Sequence, residues 1–140
     1  MLVDSSPRPP YDIVSSSFVD DAVRWYESSM DKGMIGSWTA ADITTSADGT
    51  REVYAVDMDS DGDMDVLSAN KENSKVTWYN NNGSESFTEQ VIYSGSGEPK
   101  SVYAIDVDSD GDMDVLSAYY KEDKIVWYEQ DQAPIATINP

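Results

Sequence analysis

Short apolar runs, each bounded by clusters of Asp, Asn, Gly and Ser, punctuate this chain. Val53-Tyr54-Ala55-Val56, Val66-Leu67-Ser68-Ala69, Val76-Thr77-Trp78-Tyr79 and Phe87-Thr88-Glu89-Gln90-Val91-Ile92-Tyr93 follow one another with turn-forming residues between them. Runs this short, rich in β-branched and aromatic residues, predict strands. Asn80-Asn81-Asn82-Gly83 predicts the hairpin turn between the third and fourth, because Asn and Gly tolerate the positive φ such turns need.

The pattern is written more than once. Val53-Tyr54-Ala55-Val56 returns as Val102-Tyr103-Ala104-Ile105, Asp65-Val66-Leu67-Ser68-Ala69 as Asp114 to Ala118, and Val76-Thr77-Trp78-Tyr79 as Ile125-Val126-Trp127-Tyr128. Every pair is offset by 49 residues, as from Asp57 to Asp106. Four short strands per unit at such a period predict an all-β propeller or another stacked β array.

Between the first two strands of each unit lies an acidic run, Asp57-Met58-Asp59-Ser60-Asp61-Gly62-Asp63-Met64-Asp65, repeated as Asp106 to Asp114. Carboxylates so close repel strongly, so a folded chain keeps them mainly when a hard cation neutralises them. Positions 1, 3 and 5 (Asp57, Asp59, Asp61; Asp106, Asp108, Asp110) have the spacing to surround one ion, and Gly62 or Gly111 permits the sharp turn at position 6. Position 7 (Asp63, Asp112) offers its backbone carbonyl, and Asp65 or Asp114 at position 9 is the natural closing carboxylate. An EF-hand would need a Glu at position 12, where Ser68 and Ser117 stand, and helices instead of strand-like flanks. The expectation is about two Ca²⁺. Met58, Met64 and Met113 are expected to pack beside the loops, since thioether sulfur is too soft for calcium.

On these residues the chain resembles the FG-GAP/VCBS repeat family, whose propeller blades carry a DxDxDGxxD calcium loop between their first two strands, as in integrin α-subunits. The resemblance implies about three four-stranded antiparallel blades forming a partial β-propeller. Residues 1–48 would be a degenerate first blade, 49–97 a second with its calcium loop, and 98–140 a third whose last strand is truncated or irregular. It also implies adhesion, carbohydrate binding or attachment to a protein complex outside the cytoplasm.

The first unit is worn. Ile13 to Glu27 aligns on Val115 to Glu129 at an offset of 102, which puts Asp4 on Asp106 and Asp12 on Asp114. Between them stand Ser6, Arg8, Pro9 and Pro10. Two alternatives remain: a blade loop that has lost its metal, with Arg8 supplying the positive charge, or a terminus without defined contacts. The fourth strand of this unit is expected at Trp38 to Thr44, after a connection four residues longer than Asn80 to Ser86. Pro134 and Pro140 argue against a regular strand at the other end.

Composition narrows the function. The formal charge is −18, and the two loops hold ten of the 27 acidic residues, so nucleic acid is not an expected partner. Without His or Cys, Ser-His and Cys-His nucleophiles and the usual zinc ligands are excluded. Carboxylates can form a glycosidase pair, but the loops account for them, and no enzymatic activity is expected. Met1 to Ser6 lacks the basic and apolar parts of a signal peptide, so a mature or truncated secreted chain is expected, and no segment has the length of a transmembrane helix. Recurrent Trp25, Trp78 and Trp127 are expected in blade-to-blade packing more than in sugar stacking. Asn82-Gly83-Ser84 also spells a glycosylation sequon, a triplet common by chance.

Closed propellers use typically 4 to 8 blades, and three leave sheet faces and edges uncovered. A protein partner or self-assembly is therefore expected to complete the structure, with glycan as a further ligand the family admits. The competing expectation is an accessory propeller piece of a larger extracellular hydrolase or lyase.

Overall fold

The computed structural model describes residues 11–31 and 34–131. Ten strands occupy it: β1 (Ile13–Ser17), β2 (Ala22–Asp31), β3 (Met34–Thr44), β4 (Thr50–Val56), β5 (Asp65–Asn70), β6 (Lys75–Asn81), β7 (Phe87–Ser94), β8 (Pro99–Ile105), β9 (Asp114–Tyr119) and β10 (Lys124–Tyr128). They form three antiparallel meanders, β1-β2-β3, β4-β5-β6-β7 and β8-β9-β10. These are propeller-type blades. Only the middle one shows four strands among the described residues. In the first, the partner expected before β1 falls in the undescribed stretch around Asp4, as do Ser6, Arg8, Pro9 and Pro10. In the third, the region of Pro134 and Pro140 lies outside the described residues as well.

The hydrophobic pattern explains how the blades stack. Every residue of β5 is buried, so both faces of this strand lie against other parts of the protein, with hydrogen-bonded Asp65 and Asn70 at its ends. Side chains alternate across a strand. Val66 therefore joins Val23, Ala47 and Tyr79 between the first and second blades, whereas Leu67 and Ala69 join Met58, Val76, Val102, Ala104, Val115 and Tyr119 between the second and third. Each such buried aliphatic side chain stabilises by about 1.5–3 kcal/mol relative to exposure. Aromatic contacts cross the same seams: Trp25 meets Phe87 edge-on at 6.4 Å between centroids, Tyr54 lies 4.9 Å from Tyr103, and Tyr93 lies 4.9 Å from Tyr119.

Three local expectations need correction. Asn80 and Asn81 end β6, paired with Thr88 and Phe87, and the turn is closed one residue later by Asn82 N–H donating to Ser86 O at 3.1 Å. The extra residues of the first unit lengthen strands instead of a loop, because β2 and β3 stay paired out to Asp31 and Met34. Met58 is buried and Met113 packs on the core, but Met64 points to solvent, 56% exposed.

Candidate metal centres

Each acidic run bridges the end of one strand and the start of the next, β4 to β5 and β8 to β9. Two left-handed residues fold it inward, Ser60 (φ 61°) and Gly62 (φ 95°) in the first loop, Ser109 (φ 65°) and Gly111 (φ 101°) in the second. Such φ values for glycine cost no Cβ clash. The backbone amides then turn onto the leading carboxylate. In the first loop Asp61 N–H donates to Asp57 Oδ1 at 3.2 Å and Gly62 N–H to Asp57 Oδ2 at 3.0 Å. Asp110 and Gly111 do the same to Asp106 at 3.2 and 3.0 Å. Asp63 N–H donates to Asp61 Oδ1 and Asp112 N–H to Asp110 Oδ1, both at 2.9 Å.

The result is convergence of oxygen atoms. One carboxylate oxygen from each of Asp57, Asp59 and Asp61 lies within 4.8 Å of the others, and Asp106, Asp108 and Asp114 form a second trio of the same kind. Oxygens on opposite sides of an ion with bonds of about 2.3–2.6 Å stand roughly that far apart. Either trio could hold a metal ion. The trios are not identical, since the first uses Asp61 at position 5 and the second uses Asp114 at position 9. Asp63 and Asp65 fall outside the first trio, and Asp110 and Asp112 outside the second.

Position 9 is an anchor in its own right. Asp65 is fully buried and accepts Met58 N–H at 3.1 Å and Asn81 N–H at 2.7 Å. Asp114, equally buried, accepts Val107 N–H at 3.0 Å and Gln130 N–H at 2.9 Å. Burial pushes both carboxyls toward the neutral form. In Asp65 it prevails over the amide hydrogen bonds, helped by the charge of Asp59, and the pKa is raised. In Asp114 the amides of Gln130 and Val107, with a hydrogen bond from Trp127, outweigh it and hold the pKa below the usual range.

Two observations bear on what the trios would accept. Asp59 Oδ1 is buried with no hydrogen-bond partner among the described residues, while its Oδ2 accepts Asn80 Nδ2 at 2.6 Å. A buried carboxylate oxygen left unpaired is costly. In the second loop burial, followed by the charges of Asp110, Asp114 and Asp106, raises the pKa of Asp108. Both conditions are relieved by a cation bound through oxygen.

Asn80 and Asn81 belong to this site although the sequence marks them only as turn residues. Asn81 Nδ2 also donates to Met64 O at 3.1 Å. Their repeat counterparts are Glu129 and Gln130, so no shared residue type at that register signals the role.

Residues 57–117 match the protein family described as FG-GAP-like repeat. This stretch is an FG-GAP-like repeat. The FG-GAP-like segment opens on the first residue of the first acidic loop and runs past the end of the second, so it holds both trios. No curated protein and no solved structure matches the chain. No helix among the described residues is long and apolar enough to cross a membrane.

Proposed function

We propose that this is a calcium-stapled, non-catalytic binding or structural module that works outside the cytoplasm. The observation that carries calcium is the buried, unpaired Asp59 Oδ1 within an all-oxygen trio. Asp57, Asp59 and Asp61 would hold one ion, with Asp65 closing and Asp63 offering its carbonyl. Asp106, Asp108, Asp110 and Asp114 would hold the other, with the carbonyl of Asp112. A hard cation with flexible coordination suits such sets, and about 0.1–1 mM is the affinity range of extracellular calcium modules.

The bound ion would lock the exit of the first strand onto the entry of the second in each blade, fixing the rim that carries both loops. Adhesion, carbohydrate binding or attachment to a protein complex would use that rim or the blade faces. Absence of His and Cys from the sequence speaks for a non-catalytic role. Calorimetric titration of metal-free protein tests the assignment. Uptake of about two Ca²⁺ per chain with a rise in melting temperature is expected by linkage, and no uptake up to millimolar calcium would overturn it.

A further inference from the structure

Asn82-Gly83-Ser84 is the single Asn-x-Ser/Thr triplet in the sequence, and it stands at the tip of the hairpin between β6 and β7. The repeat does not impose it, since the offset of 49 turns the triplet into Asp131-Gln132-Ala133. Asn82 to Ser86 are all exposed.

The fold uses one half of the Asn82 amide. Its Oδ1 accepts the backbone N–H of Ser84 at 2.9 Å and that of Ser86 at 3.4 Å, while the Asn82 N–H donates to Ser86 O at 3.1 Å. These bonds close the turn and set the direction of the side chain. Nδ2, the other half, has no hydrogen-bond partner among the described residues. Gly83 is fixed by the turn as well: its φ is 77°, and a Cβ there would overlap Asp63 Oδ2. Ser84 is different. The turn takes only its backbone N–H, and its hydroxyl is in no hydrogen bond among the described residues. Local packing thus accounts for Asn82 Oδ1 and Gly83 and leaves Asn82 Nδ2 and Ser84 Oγ without a structural task. Those two groups are the ones that make a triplet a glycan acceptor.

We propose that Asn82 carries an N-linked oligosaccharide beside the first acidic loop. Nδ2 attacks the anomeric carbon of a polyprenyl-diphosphate-linked oligosaccharide. The Nδ2–C1 bond forms, the C1–O bond to the diphosphate breaks with its electron pair on oxygen, and Nδ2 gives up one proton. Oδ1 stays an amide carbonyl throughout, so both of its hydrogen bonds survive in the product. Asn82 and Ser84 belong to neither acidic trio, and calcium uptake is expected to be the same with and without the glycan. The inference rests on the extracellular part of the function proposed above.

Expression behind a cleavable secretion signal in cells that N-glycosylate a control protein tests it. Chain recovered from that pathway should be heavier by one glycan. A glycan-releasing amidase should remove it in heavy-oxygen water and leave labelled Asp in place of Asn82. Asn-Gly pairs also lose ammonia spontaneously, and a digest without the amidase sets that background. Ser84→Ala should lose the glycan with its melting temperature unchanged, because the turn needs only the backbone N–H, and Ser84→Thr should keep it. Unmodified Asn82 in the recovered wild-type chain, or a glycan retained by Ser84→Ala, would overturn the proposal. The signal delivers the chain whatever its native location, so either result leaves the extracellular reading untouched. Fractionation of the source cells tests that reading separately.

Discussion

Asp12 Oδ1 accepts the backbone N–H of Ser28 at 3.0 Å, the bond that Asp65 makes with Asn81 and Asp114 with Gln130 in the later blades. The carboxylate at this register therefore reaches the backbone of β2, the end of β6 or the residues just after β10 in the three units. Asp12→Ala should lower stability by about 0.5–1.5 kcal/mol, the ordinary net worth of one hydrogen bond. Calcium stoichiometry should not change. Urea denaturation and metal analysis of the same variant check both, and a lost ion would show that the first loop binds metal.

Loop acids and anchor acids should separate experimentally. Asp61→Ala and Asp110→Ala each remove a carboxylate from an open loop, so each should cost one calcium, while the metal-free melting temperature holds or rises as repulsion falls. Asp65→Ala strands the amides of Met58 and Asn81 in the interior and should destabilise even metal-free protein, by about 2–4 kcal/mol. Thermal melts with and without a chelator distinguish the two classes.

Gly111 has φ of 101° and open space where a Cβ would go. Gly111→Ala meets no neighbour, and its cost is that of the backbone alone, about 1–3 kcal/mol. Because the strained turn presents the amide to Asp106, calcium affinity at the second site should fall with it. An unchanged calcium isotherm would show that the loop accepts another turn.

Glu98 joins the turns of the second and third blades. It meets Lys121 at 2.6 Å and Lys71 at 3.9 Å, and the hydrogen bond from Lys121, then the Lys charges, hold its carboxyl below the usual glutamate range. A depressed carboxylate stabilises above its unfolded pKa and loses that contribution as pH falls through the folded value. Glu98→Gln should thus lower the melting temperature at pH 7 and have no effect once the pH has fallen below the depressed folded-state pKa of Glu98. The difference should also shrink in high salt, as for other solvent-screened pairs.

Strand existence, the repeat offset and the acids of both loops were legible in the sequence, because alternation, turn residues and spacing are local properties that each segment carries with it. Direction and cover are not local. Which oxygens converge depended on packing that buries Asp65 beneath two amides and brings Asn80 from β6 onto Asp59. Trp78 and Trp127 share one register and one set of neighbours in the chain, yet Trp78 packs against the core between blades and Trp127 is 43% exposed. Local sequence chooses which face of a strand is apolar. Only the tertiary structure decides whether another surface lies opposite to remove that face from water.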